Sequence, residues 1–228
     1  EGSEERGILA KIISSGLHLL GVLNDVLDFS KIEAGQLSLE SVVVDTHALL
    51  DECMYLVQES ATAKGIRLTL HIDADLPALC LGDPLRLKQV LTNLLSNAVK
   101  FTPTGSVDLS VRVLESADGP RLIFAVRDTG PGIAAGDMTR IFYPFVQTVS
   151  GHASQEGTGL GLAISRHFVQ LMGGILTVTS SGVPGEGCIF QFDIPLVPVG
   201  ACDMADWHSP ARESAMGLMA DQPEDCPQ

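Results

Sequence analysis

Between Pro84 and Phe101 the chain sets Leu87, Val90, Leu91, Leu94, Leu95 and Ala98 at helical spacing, a pattern that fixes more of the architecture than any other stretch. At about 100° per residue these six fill one broad sector, which must be buried against a second layer. Asp83 is placed to cap the helix, and Pro84 takes the first position, where its missing N–H costs nothing. Along the border of the apolar sector, Asn93, Asn97 and Lys100 project in one narrow stripe. Uncharged amide oxygens there suit an octahedral Mg²⁺ shell, and a lysine suits phosphate oxygens. A solvated polar face is the plain alternative, and this segment alone does not separate the two.

The chain has 228 residues, enough for one substantial core with a helical appendage and a tail. Its formal net charge of -14 excludes nucleic acid as the main partner, since that binding needs clustered Lys and Arg. Cysteines at 53, 80, 188, 202 and 226 form no CxxC pair, which fits reduced thiols in the cytoplasm and argues against a zinc site. No apolar run is long enough to span a membrane, and Glu1-Gly-Ser-Glu-Glu-Arg6 is not a signal peptide. No membrane contact by this chain is therefore expected.

Residues 1–36 read as a long bundle-forming helix. Leu9, Ile13, Gly16, Leu20, Leu23 and Leu27 make one seam, Ile12, Leu19, Val22, Val26 and Phe29 a second beside it, and Gly35 ends the element. So wide an apolar face requires partner helices. Residues 37–197 alternate between the two periods. Strands are predicted over 37–44, 66–72, 107–115, 121–128, 175–181 and 188–196, with helices over 46–64, 84–101 and 159–172. Helices on a mostly antiparallel sheet give an α+β two-layer sandwich. From Pro198 to Gln228 periodicity fails, and the segment reads as a linker or disordered tail.

Three further segments carry chemistry. Asp128-Thr-Gly130-Pro-Gly132-Ile133 follows a strand directly, so a carboxylate at the strand end stands beside glycines that let backbone approach a flat ligand. That carboxylate can accept the exocyclic amine of adenine; a β-turn with an Asx cap is the competing reading. Glu156-Gly157-Thr158-Gly159-Leu160-Gly161 opens a helix whose free N–H groups can cradle phosphates. Its GxGxG spacing is not the GxGxxG of a dinucleotide fold, and GxxxxGK[ST], HRD and DFG are all absent. Between these lies Met138 to Glu156, with Ile141-Phe-Tyr143-Pro-Phe145 followed by small polar residues, the composition of a hinged lid.

In this order the asparagine helix, DTGPGI, IFYPF and EGTGLGLAIS resemble the N, G1, F and G2 boxes of sensor histidine kinases, within the GHKL (Bergerat-fold) ATPases that include gyrase, mismatch-repair and heat-shock chaperone relatives. Asn24-Asp-Val-Leu-Asp-Phe-Ser-Lys-Ile-Glu-Ala-Gly35 is similar to the end of the second dimerisation helix of hybrid kinases. The resemblance implies a catalytic ATP-binding domain that transfers the γ-phosphoryl group of ATP to a histidine for relay to a receiver-domain aspartate. It implies Asn97 as Mg²⁺ ligand with Asn93 beside it at metal or phosphates, Lys100 on phosphate oxygens, and Asp128 on the adenine amine. Gly130 and Gly132 shape that pocket, while Gly157, Thr158, Gly159, Leu160 and Gly161 bring the lid and helix start to the phosphates. Asp83, Arg86 and Gln89 match the run ahead of the N box as structural residues.

Three departures stand out. None of His18, His47, His71, His152, His167 and His208 has the acidic neighbour and following Arg-Thr-Pro of a phosphoacceptor, so the acceptor is expected on a first dimerisation helix upstream of Glu1. Tyr143 replaces the usual acidic residue of the F box, and the lid offers only His152 where Arg or Lys is common. The partners implied are an acceptor-histidine helix, a receiver domain and a second copy paired through the N-terminal helix. A degenerate ATP-binding module that acts by pairing with another kinase is the alternative. An autonomous ATPase is disfavoured, because Asn93 replaces the glutamate those enzymes use to activate water.

Overall fold

The computed structural model of the chain describes residues 2–146 and 158–199, with 2–15, 17 and 18 as backbone only. Its elements are α1 (Gly2–Glu33), β1 (Val42–Asp45), α2 (Thr46–Ala63), β2 (Arg67–Ile72), β3 (Leu79–Gly82), α3 (Pro84–Phe101), β4 (Ser106–Leu114), β5 (Arg121–Asp128), a 3₁₀ turn (Arg140–Phe142), α4 (Gly161–Leu171), β6 (Leu176–Ser180), β7 (Cys188–Pro195) and β8 (Val197–Pro198). Five strands form the main sheet in the order β2-β4-β5-β7-β6, and α2, α3 and α4 pack against it, giving the α+β two-layer arrangement expected.

All six apolar residues predicted for the core face of α3 are buried, and Val99 joins them. They meet Val107, Leu109 and Val111 of β4 and Leu122, Phe124 and Val126 of β5 in one core. Period-two alternation leaves Ser106, Asp108 and Ser110 on the opposite face of β4. The same parity has a functional consequence. Asp128 shares the helix-facing side with Leu122, Phe124 and Val126, so the strand that supplies core residues delivers a carboxylate into the interior at its end. Phe124 and Phe192, register partners on β5 and β7, stack with centroids 4.7 Å apart.

The structure differs from the sequence expectations at the edges. The strand expected over 37–44 is confined to Val42–Asp45, where it pairs with β3, a strand not predicted, and β8 completes a small sheet ordered β1-β3-β8. Pro198, read as the start of the linker, pairs with Cys80. The main sheet is mixed, because β2 runs parallel to β4. The remaining tail, 200–228, lies outside the described residues.

Helix α1 ends in an αL glycine: Gly35 has φ 63°, and the Gln36 N–H donates to the Lys31 carbonyl. Leu19, Leu20, Leu23, Val26 and Leu27 stay exposed. Its last turns lie against the rest of the protein. Asp28 Oδ2 accepts from Gln89 Nε2 at 2.9 Å and faces the Arg86 guanidinium at 3.5 Å, while the Phe29 ring meets Phe145 edge-on at 6.3 Å. The Asp28→Ala substitution strands the Arg86 charge in a pocket where both side chains are more than four-fifths covered. It is expected to cost about 1.5 kcal/mol. Amide exchange over 24–33 should then accelerate roughly tenfold while α3 is unaffected, since 1.4 kcal/mol is a factor of ten; unchanged exchange would show that Asp28 does not hold α1 in place.

Candidate functional site

Three helices approach the site, and their starts differ. α2 and α3 each begin with an aspartate whose side chain accepts a first-turn N–H: Asp45 from Ala48, and Asp83 from Arg86. Asp83 also accepts the Glu40 N–H at 3.1 Å, tying the segment after α1 to α3. α4 has no such residue. Its N-cap is Leu160, without a side-chain cap, and no acidic side chain stands in its first turn. Among the described residues no acidic side chain caps α4, the state an anion-binding helix start requires.

This helix start lies directly on the asparagine stripe. A Cβ at Gly161 would sit 2.4 Å from Asn93 Oδ1, so the glycine lets this amide lie against the start of α4 where a larger residue would push it aside. Asn93 Nδ2 donates to the Ser165 hydroxyl at 2.8 Å, one turn further along α4, and Asn97 Nδ2 donates to Asn93 Oδ1 at 3.3 Å. Lys100, in the last turn of α3, has its Nζ 5.3 Å from the Phe101 ring centroid. The end of α3 is fixed from outside by Lys64, whose ammonium donates to the carbonyls of Val99 at 2.8 Å and Lys100 at 2.7 Å.

Asp128 closes the other side. It is 5% exposed, and burial raises its carboxyl above the ordinary carboxylate value. The Gly130 N–H and the backbone N–H and thiol of Cys188 donate to it and oppose that rise. An ionised carboxylate offers about four acceptor positions. The Gly130 N–H takes one of them. The Asp128 Oδ1 to Gly130 N–H bond, 2.8 Å, is the Asx-type turn that stood beside the adenine reading in the sequence. A Cβ at Gly130 would lie 3.1 Å from the Phe101 carbonyl and 3.4 Å from Thr102 Oγ1, which brings the DTGPG loop against the end of the asparagine helix. Thr102 Oγ1 is itself buried without a hydrogen-bond partner. Gly132, at φ 76°, leans on the β6–β7 connection, where Ser180 Oγ accepts the Ile133 N–H at 2.9 Å and donates to the Gly187 carbonyl at 2.8 Å.

Of the predicted site residues, the structure therefore groups Asn93, Asn97 and Gly161 in one cluster and Asp128 and Gly130 in another, joined through the end of α3. Thr158 Oγ1 accepts the Leu160 N–H and donates to Asp25 Oδ2, both at 3.2 Å, so the residues before α4 also touch α1. Burial raises the Asp25 carboxyl. Gly159 (φ 71°) packs on the backbone of Phe145, with Cβ space only 3.0 Å from it. Gly157 and the lid sequence from Gln147 to Glu156, His152 included, lie outside the described residues. Sequence reasoning missed Ser165, Lys64, Gly187 and Cys188. Of these only Gly187 carried a signal, as the last glycine of the Gly182-Val-Pro-Gly-Glu-Gly187 run between β6 and β7.

Comparison with known proteins shows the family of the chain. Residues 82–198 match the family described as histidine kinase-, DNA gyrase B-, and HSP90-like ATPase. The signal transduction histidine-protein kinase BarA of Escherichia coli (strain K12) is 43% identical over 195 residues, covering 84% of this chain and 21% of that protein. The sensor histidine kinase GacS of Pseudomonas protegens is 40% identical over 190 residues, covering 82% and 20%. Among solved structures, full-length ShkA in complex with AMPPNP aligns with a TM-score of 0.72 at 38% identity, covering 87% of this chain and 40% of that one. The chain thus spans about a fifth of the length of the curated relatives it matches.

Proposed function

Because the chain belongs to the histidine kinase-, DNA gyrase B- and HSP90-like ATPase family, we propose that it is the ATP-binding catalytic part of a two-component sensor kinase, donating the γ-phosphoryl group of ATP to a histidine outside this chain. The observation that carries the reading is the uncapped start of α4, held by Gly161 against Asn93 while α2 and α3 are capped by aspartates. In this reading the N–H groups of Gly157, Thr158, Gly159 and Gly161 take phosphate oxygens, with the Leu160 N–H held by Thr158 Oγ1. Asp128 accepts the adenine amine in the pocket shaped by Gly130 and Gly132, and Lys100 meets phosphate oxygens.

The donor set fits a hard cation, since the asparagines offer oxygen ligands at the border of the phosphate site. Asn97 would hold Mg²⁺, with Asn93 beside it. When bound, the ion neutralises charge on the phosphates. The protein's own task is positioning, because a neutral imidazole is already nucleophilic. The acceptor belongs to a dimerisation helix, and the exposed stripe Leu19, Leu20, Leu23, Val26 and Leu27 is the surface through which α1 pairs with partner helices, in a homodimer of the whole protein. Relay to a receiver-domain aspartate follows. Among the described residues no helix is long and apolar enough to cross a membrane.

Calorimetric titration with an ATP analogue and Mg²⁺ tests the site. Asn97→Asp should remove measurable affinity while the melting transition persists, and unchanged affinity sinks the assignment. Adding labelled ATP and a helix carrying a histidine-acidic motif tests the transfer: phosphohistidine is expected, and nucleotide binding without it would leave a binding module.

A further inference from the structure

The geometry points to Ser180 as a positioning residue of the adenine pocket, one that aims the Cys188 N–H at Asp128 and holds the far end of the DTGPGI loop. The inference rests on the nucleotide-site reading above. Ser180 is the last residue of β6 and pairs with Cys188, the first of β7. β7 runs between β6 and β5, so Ser180 and Asp128 lie on opposite sides of it. On one side the Gly187 carbonyl accepts the Ser180 hydroxyl at 2.8 Å, and on the other the Cys188 N–H donates to the Asp128 carboxyl.

That carbonyl and that N–H belong to one peptide unit. The unit is planar and trans, so its C=O and N–H point in opposite directions, and whatever holds the carbonyl aims the N–H. The hold matters here because Gly187, at φ 67°, has a glycine's freedom to turn the plane. The roles of the hydroxyl are fixed by its partners. Its single proton goes to a carbonyl, which only accepts, and its two acceptor positions take the Ile133 N–H at 2.9 Å and the Gly182 N–H at 3.2 Å, which only donate. The Cys188 thiol also lies against Ser180, but with those positions filled it donates to Asp128. Through Ile133 the same hydroxyl anchors the loop whose Gly130 N–H donates to Asp128. The Gly185 N–H, on the Gly130 carbonyl at 2.9 Å, is a second tie between the β6–β7 connection and that loop.

The experiment follows Asp128 in the full chain with and without the Ser180→Ala substitution. In nucleotide-free protein the titration midpoint of the Asp128 carboxyl, read by carbon-detected NMR against pH, is expected to move upward in Ser180→Ala, because donors that favour the ionised form are no longer aimed at it. The titratable neighbour of Asp128 is the Cys188 thiol, which burial pushes up to about 12, so it stays neutral while Asp128 titrates. Affinity for a non-hydrolysable ATP analogue is expected to fall roughly tenfold, the scale of one weakened hydrogen bond to a charged group. Ser180→Thr keeps the hydroxyl and restores both readouts, whereas Ser180→Val, its match in shape, restores neither. That pair carries the test if Ser180→Ala does not fold. An unmoved midpoint, a moved midpoint with full affinity, or an affinity loss that Ser180→Thr shares each overturn the inference. If the native chain binds no ATP analogue, the nucleotide-site reading falls and this inference with it. Native binding that Ser180→Ala leaves intact removes only the role of Ser180.

Discussion

The Asp128→Asn substitution is expected to reduce affinity for an ATP analogue by on the order of a hundredfold, the scale of a lost charge-assisted hydrogen bond to adenine in a site that excludes water. An amide can no longer offer both of its heavy atoms as acceptors to Gly130, Cys188 and a ligand amine. The buried carboxyl also gives this position a pH signature with two opposite signs. Its value in the folded protein lies above the 3.8 of an exposed carboxyl, because burial disfavours the charged form. The folded state therefore holds this proton more tightly than the unfolded chain. Its contribution to stability is full below the unfolded value and is lost as pH rises through the folded one. The melting temperature of the native chain minus that of Asp128→Asn should fall over that window. Nucleotide affinity runs the other way: an amine donor favours the ionised carboxylate, so native binding strengthens as pH rises through the same window. A melting difference that is flat with pH, or equal affinity in both proteins, would remove Asp128 from the pocket.

The second large effect is expected at Gly187. Gly187 and Gly65 share φ 67°, so an alanine at either adopts the same unfavourable left-handed backbone. At Gly65 nothing lies within 4 Å of the added Cβ. Gly65→Ala should therefore show the conformational cost alone, about 1 kcal/mol. At Gly187 the Cβ would fall 1.9 Å from the carbonyl oxygen of Asp128 and 2.5 Å from its carbon, an overlap that only separation of β7 from the end of β5 relieves. Gly187→Ala is expected to cost more than about 3 kcal/mol and to displace Asp128, weakening nucleotide binding along with folding. Urea denaturation of both variants checks this, and equal midpoints would show that the contact yields easily.

What could be read beforehand follows from how local each signal is. The core face of α3 was legible because Asp83, Pro84 and six apolar residues all lie within one segment and point to one helix. The end of α1 was legible for the same reason, at Gly35. β3 was not, because Leu79-Cys-Leu-Gly82 is too short to show alternation, and β8 hid behind Pro198, which pairs at a sheet edge where its missing N–H is tolerated. The parallel pairing of β2 with β4 depends on a crossover through β3 and α3, and neither strand's own sequence records it. At the site, the glycine runs and Asp128 announced themselves by spacing. Ser165 did not: its partner is 72 residues away, and a serine inside a helix has no pattern of its own. Lys64 likewise looks like an ordinary residue at a helix end until its ammonium is seen on the carbonyls of α3.

The small sheet β1-β3-β8 has a consequence for how this unit can be moved between proteins. Val43 and Val197 both pair with Leu81, one on each side, so the strand that enters the domain and the strand that leaves it lie two strand spacings apart, about 10 Å. A unit whose two ends flank one strand of a small sheet can be spliced into a longer polypeptide without stretching its host, and can be circularly permuted by joining those ends with a short linker. Cutting instead at Asp118-Gly119, in the exposed turn between β4 and β5, would give new termini far from both halves of the nucleotide site. Such a permutant is the form in which the site could be studied free of α1.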